Sequence, residues 1–196
     1  MLPSPIYDIT KDYDENYKYG PFGKFSKQSR IQNTGKPTFN FLGQKVYLPF
    51  GTPAGMLLNS NFIKAAFDWG FDVSVYKTVR SGKFQGHPFP NILFVNTPKE
   101  LYPDEVLRLV ASSKTDKTRN ELNITNSFGV PSKNSQLWQE DVKRAMGYVN
   151  KGQVLVLSFM GTVHEGQTAQ EFVKDFALAA KLAKETGAKI LEANLS

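Results

Sequence analysis

Cysteine is absent from the 196 residues. Disulfides, zinc–thiolate sites, iron–sulfur clusters and a cysteine nucleophile are therefore excluded within them, and the absence fits a cytoplasmic location. Long apolar runs are lacking too. The longest strong one, residues 154–160, is broken by Ser158, so no membrane span is expected. The first residues, MLPSP followed by Asp8, Asp12, Asp14 and Glu15, have no basic segment leading into an apolar one and do not read as a secretory signal. Histidine is scarce: His87 lies in a Gly-His-Pro loop and His164 in a polar one. Both read as solvated loop residues, and no metal constellation accompanies them. No Gly-x-Gly-x-x-Gly follows a strand, which argues against a nicotinamide-binding Rossmann domain. Serine and threonine find no His/Asp partner pattern.

Charge of one sign is present but not gathered. The formal net charge is +6, from 24 Lys+Arg against 18 Asp+Glu, and the first fifty residues hold seven basic and four acidic side chains. Without a basic stripe, nucleic-acid binding is not expected, and attraction for an anionic small ligand is the more economical reading. With 40% hydrophobic and 21% charged residues, the chain is long enough to bury one sizeable core.

Residues 1–38 form a poorly periodic lead-in. Residues 39–48 carry two short apolar segments around Gly43, a hairpin pattern. After Pro49, strand and helix patterns alternate. A short strand and turn ends at Gly55. A helix over 61–69 shows Phe62, Ala66 and Trp69 on one face, and a β-branched strand covers 73–79. An excursion over 81–134, with Pro88, Pro90, Pro98, Pro103 and Pro131, reads as an elaborated loop with short elements. Leu137, Trp138, Val142, Ala145, Met146 and Val149 recur at helical spacing. A buried strand follows over 154–160. Thr168 and Glu171 make a capping box for a helix with Phe172, Phe176, Ala179, Ala180 and Ala183 on its apolar face, and a last strand begins at Lys189.

Such alternation demands a parallel sheet with helices outside. Four strands and three helices after the hairpin amount to the first half of a (β/α)8 barrel, which takes roughly 250 residues when whole. The expected organisation is thus an irregular lead-in over 1–38, then a hairpin plus an N-terminal half barrel over 39–196.

In these folds the working groups sit at the C-terminal ends of strands. That rule selects residues 52–55, Lys77 with Thr78, residues 158–161 and residues 194–196; the polar turn 126–132 is a fifth candidate. Lys77 interrupts an apolar strand, where a charge is costly unless paired or near water. It either faces an anion or cofactor, or snorkels to solvent. Asn126 and Asn194 could read amide and carbonyl edges or could cap turns. Ala54 and Gly55 would let a flat ring approach the backbone, although a tight turn also explains them.

The ordered motifs PFGTPAG (49–55), WGFDVSVYKT (69–78), GHPFP (86–90), NSFGVPS (126–132), LSFMGT (157–162) and EANLS (192–196) resemble those of dihydroorotate dehydrogenases, FMN-dependent (β/α)8 barrels of pyrimidine biosynthesis. The resemblance runs from the hairpin to the last residue. It implies oxidation of dihydroorotate to orotate. By the same resemblance, Ala54, Gly55, Lys77, Thr78 and Asn194 would contact FMN. Lys77, Asn126, Asn194 and the backbone of Phe128, Gly129 and Val130 would hold the substrate. A lysine on the second strand, with Leu57-Leu58-Asn59 where the membrane-associated class carries one, resembles the soluble class. The family's base, Cys or Ser, follows EANLS at once, so it is expected beyond Ser196. The 196 residues alone are accordingly expected to be inactive, and to pair with a C-terminal half barrel or with another copy. Two other readings are a dihydropyrimidine dehydrogenase-like flavoenzyme and a non-catalytic half-barrel fragment.

Overall fold

A computed structural model describes residues 6–97, 102–103, 109–118 and 121–196. The first five residues, and parts of the proline-rich excursion including Pro98, lie outside the described residues.

The lead-in contains a helix, α1 (Tyr13–Tyr19), whose seven residues are too few to display a periodicity. Asp12 caps it by accepting from the Glu15 N–H at 2.8 Å, and Glu15 reciprocates. A 3-10 turn (Gly23–Lys27) follows. Among the bonds that fasten the lead-in to the body, Asn59 Nδ2 donates to the Tyr17 carbonyl at 2.6 Å, Trp69 Nε1 to the Phe25 carbonyl at 2.9 Å, and Arg30 Nε to Asp68 at 2.8 Å.

Next comes the hairpin β1 (Phe39–Phe41) and β2 (Gln44–Val46), paired antiparallel with Phe39 opposite Val46. The strand–helix series then runs β3 (Gly51–Thr52), α2 (Ser60–Asp68) and β4 (Val73–Val79). The excursion folds as a small antiparallel sheet of β5 (Ile92–Asn96), β6 (Val110–Ser112) and β7 (Ile124–Asn126), in the order β6-β5-β7. The series resumes with α3 (Ser135–Met146), β8 (Val154–Phe159), α4 (Ala169–Glu185) and β9 (Ile190–Ala193). Strands β3, β4, β8 and β9 are neighbours in that order, and every pairing is parallel. This is the expected first half of a (β/α)8 barrel, with the expected three helices on the way. Among the described residues, no helix is long and apolar enough to cross a membrane.

Alternation along the strands divides the core in two. Tyr76, Leu155, Leu157 and Phe159 pack with Phe62, Ile63, Trp138, Val142, Ala179 and Ala183 on the helix side. Val73, Val75, Val154, Val156 and Ile190 gather on the other side, with Val46 of the hairpin and with Phe41 and Ala54 against them. The hairpin thus floors the inner face. A Cβ on Gly51 would stand 1.8 Å from the Val73 carbonyl oxygen, so β3 lies this close to β4 only because residue 51 has no side chain.

Two expected core residues lie elsewhere. Trp69 is the C-cap of α2, exposed and stacked on Phe25, because the helix ends one residue earlier than its pattern. Leu137 is exposed: the buried stripe of α3 is Trp138, Val142 and Ala145, and Leu137 falls to one side of it.

Replacing a fully buried strand residue should be costly and replacing an exposed helix residue should not. Leu157→Ala is expected to lower unfolding free energy by about 2–5 kcal/mol. Val173→Ala, 62% exposed on α4, is expected to change it by under about 0.5 kcal/mol. Urea titrations of the two variants check the contrast.

Candidate functional site

The site begins with an irregularity in β4. Tyr76 pairs with Leu157, but Val79 pairs with Phe159. Lys77 and Thr78 therefore face the single residue Ser158, which is a β-bulge. Strict alternation would send Thr78 toward the helices. The bulge instead returns Val79 to the helix-side core and brings Thr78 to Ser158, with the two hydroxyl oxygens 2.9 Å apart. Asn194, just past β9, extends this row by donating from Nδ2 to Thr78 Oγ1 at 3.2 Å. Its main-chain N–H donates to the Phe159 carbonyl at 2.9 Å, and its Oδ1 accepts from the Ser196 N–H and hydroxyl. Thr78, Ser158 and Asn194 thus form a polar row at the C-terminal ends of three adjacent strands, above the aliphatic floor.

Lys77 lies beside this row and is 6% exposed, so the structure does not support snorkelling to water. Its main-chain N–H donates to the Leu57 carbonyl at 3.1 Å. Its ammonium stands 5.7 Å from the centre of the Tyr13 ring of α1 and lines a small cavity with Tyr17, Tyr76, Ser132 and Trp138. No carboxylate among the described residues pairs with it. Burial first, and the positive Arg80 second, push its pKa from 10.5 down to about 7. A buried cation in that condition favours any anion that can reach it.

The polar turn 126–132 reaches the same region through α1. Phe128 packs edge-on against Tyr7 and Tyr13, with ring centres 5.5 and 6.5 Å apart, so Tyr13 touches both this turn and Lys77. Gly129 and Val130 have φ of +69° and +50°. A side chain on Gly129 would meet the His87 ring at 2.6 Å. The Phe128 carbonyl accepts from the His87 N–H at 3.0 Å, and the carbonyls of Gly129 and Val130 accept from Arg80. The N–H groups of Phe128, Gly129 and Val130 have no acceptor among the described residues. Successive free amides of this kind suit an anion.

The residues singled out in the sequence fall into three groups. Thr78 and Asn194 come together around Ser158, Lys77 precedes Thr78 in the bulge with its ammonium toward Tyr13, and Phe128, Gly129 and Val130 form the amide turn. Asn126 is exposed at the end of β7, where its side chain makes no hydrogen bond among the described residues and so caps nothing. Ala54 packs against the floor; Gly55 has φ +121° with open space where a Cβ would be, which a tight turn accounts for. Sequence reasoning missed Arg80, buried and holding the amide turn. A second cation three residues after Lys77 was the available signal. Ser158 was visible only as a member of its strand end.

No family model matches the sequence. The chain is 38% identical over 201 aligned residues to the dihydroorotate dehydrogenase of Dictyostelium discoideum, an alignment covering all of this chain and 54% of that protein. The chain thus spans about half the length of the relative it matches.

Lys77→Met should stabilise the ligand-free protein, and most so at and below neutral pH. Between about 7 and 10.5 the unfolded lysine holds a proton that the folded one has released, so the parent's stability rises with pH in that window. The advantage of Lys77→Met should therefore be largest near pH 6–7 and vanish above about 10.5. Denaturant unfolding at a series of pH values measures it; an advantage independent of pH would contradict the assignment.

Proposed function

The chain belongs to the dihydroorotate dehydrogenase family, and from that premise we propose that the protein carrying it oxidises dihydroorotate to orotate. The observation that supports this reading most is Lys77: a buried ammonium with no carboxylate partner among the described residues, beside a turn of unbonded amides. Orotate and dihydroorotate are carboxylates, and charge-assisted bonds from an ammonium and backbone N–H groups are what such a group requires.

The residues also fit a flavin. The aliphatic character of the floor around Val75, Val156 and Ala54 suits an apolar ring system, and the row Thr78, Ser158 and Asn194 offers hydroxyl and amide groups to the edge of a pyrimidine-type ring. In this reading Ala54, Gly55, Lys77, Thr78 and Asn194 hold FMN, which supplies the hydride acceptor when bound. Oxidation removes a proton and a hydride from adjacent carbons of the substrate and leaves a carbon–carbon double bond. Lys77 and the amides of Phe128, Gly129 and Val130 hold the carboxylate, Asn126 and Asn194 hold the ring's amide edges, and together they orient the reacting carbons. None of these residues is assigned as the proton-abstracting base.

Burial and Arg80 hold the Lys77 pKa down at about 7 in the ligand-free site, so its charge is more easily lost near neutral pH than that of an ordinary lysine. An arriving carboxylate favours the charged form. Binding is therefore coupled to proton uptake.

Three measurements on the full-length protein test the reading. Lys77→Ala is expected to lower kcat/KM for dihydroorotate about ten- to a hundredfold, the weight of a charge-assisted bond of roughly 1.5–3 kcal/mol. Unchanged kinetics in a folded variant would remove Lys77 from the site. Flavin released by heat is expected to be FMN by chromatography. Turnover of dihydrouracil without turnover of dihydroorotate would replace the orotate reading with a dihydropyrimidine one.

A further inference from the structure

Arg80 directly follows β4, three residues after Lys77, and is buried. Its Nε donates to the Val130 carbonyl at 3.0 Å and its Nη2 to the Gly129 carbonyl at 3.4 Å. On the other side Nη1 donates to the Gly161 carbonyl at 2.8 Å and to Thr162 Oγ1 at 3.3 Å. The guanidinium lies 4.1 Å from the centre of the Phe84 ring. Its own backbone is fixed as well: the N–H donates to Ser132 Oγ at 3.1 Å, and the carbonyl accepts from Trp138 Nε1 at 3.0 Å. One planar fork thus joins the turn 126–132 to the loop that leaves β8.

The consequence follows from the peptide bond. In a planar trans peptide the C=O and the next residue's N–H point in opposite directions. Arg80 holds the Gly129 carbonyl, so the Val130 N–H is turned away from the guanidinium. His87 holds the Phe128 carbonyl, so the Gly129 N–H is turned away from His87. Both residues adopt positive φ, which for valine is costly and persists only where the surroundings enforce it. The chain also provides no acceptor for these amides among its described residues.

We infer that Arg80 is a positioning residue that sets the enzyme's preference for a carboxylate-bearing pyrimidine: by gripping the Gly129 carbonyl it presents the Val130 amide to the carboxylate, and by gripping the Val130 carbonyl it holds that residue in place beside the Gly129 amide that His87 orients. Arg80 itself does not touch the substrate. Its fork, rather than its charge alone, carries the effect, because a lysine cannot reach several diverging acceptors at once. The inference rests on the reading that this turn binds a carboxylate, and the experiment separates the two.

Orotate and uracil, the same ring with and without the carboxylate, are titrated calorimetrically into the full-length flavin-loaded protein and into Arg80→Lys. The parent is expected to prefer orotate, and Arg80→Lys is expected to lose at least tenfold of that preference while its uracil affinity changes less than threefold. Equal losses for both ligands, or an unchanged preference, would overturn the role of Arg80. A parent that binds both ligands alike would overturn the carboxylate reading itself. Should Arg80→Lys fail to fold, Arg80→Gln takes its place: its preference for orotate should likewise fall at least tenfold while its uracil affinity changes less than threefold, and equal losses or an unchanged preference would refute the inference.

Discussion

Two cations are buried at the C-terminal end of one strand, Lys77 within it and Arg80 just past it, and the site follows from how each is satisfied. A buried guanidinium or ammonium is tolerated only where hydrogen bonds or opposite charge replace water. Arg80 distributes its charge over three carbonyls and a hydroxyl. Those acceptors come from two loops, so satisfying the cation also fixes the loops. Lys77 receives no such treatment. It is packed against Tyr13 and further disfavoured by Arg80. The asymmetry is informative: the cation that the fold satisfies is structural in its bonding, and the one it leaves unsatisfied is poised for something the chain does not itself supply.

The bulge in β4 gives this pair its place. One extra residue against Ser158 brings Thr78 to the inner face, returns Val79 to the core and lets Lys77 stand beside the polar row. The same step ends regular pairing where the strand meets Arg80. Below it the inner face is aliphatic and closed by the hairpin; above it the hydroxyls of Thr78 and Ser158 and the amide of Asn194 are concentrated. The lead-in completes the wall through Tyr13 and Phe128.

The barrel half was readable because its signals are local and repeated. The apolar strands, the Thr168–Glu171 capping box and the helical spacing of Trp138, Val142 and Ala145 each point to one structure, and the family motifs lie at the strand ends. Lys77 was readable as a charge in an apolar run. The bulge was not, since alternation fails over only two residues and Lys-Thr is no signature of it. The lead-in helix was too short to show a period. Arg80 was hidden because its partners are backbone carbonyls contributed by residues 49–81 positions away, and backbone acceptors leave no mark on composition. The small sheet β6-β5-β7 was obscured by the prolines around it.

Burial and the neighbouring Arg80 disfavour the charged form of Lys77, so a carboxylate that pairs with it should draw a proton from solution. Calorimetric titration of orotate into the full-length flavin-loaded protein at pH 8, in buffers of different ionisation enthalpy, counts the protons taken up on binding. With the Lys77 pKa held below its ordinary value, the expected result is net proton uptake on orotate binding, abolished in Lys77→Met. Binding without proton uptake, or with the same uptake in Lys77→Met, would contradict it.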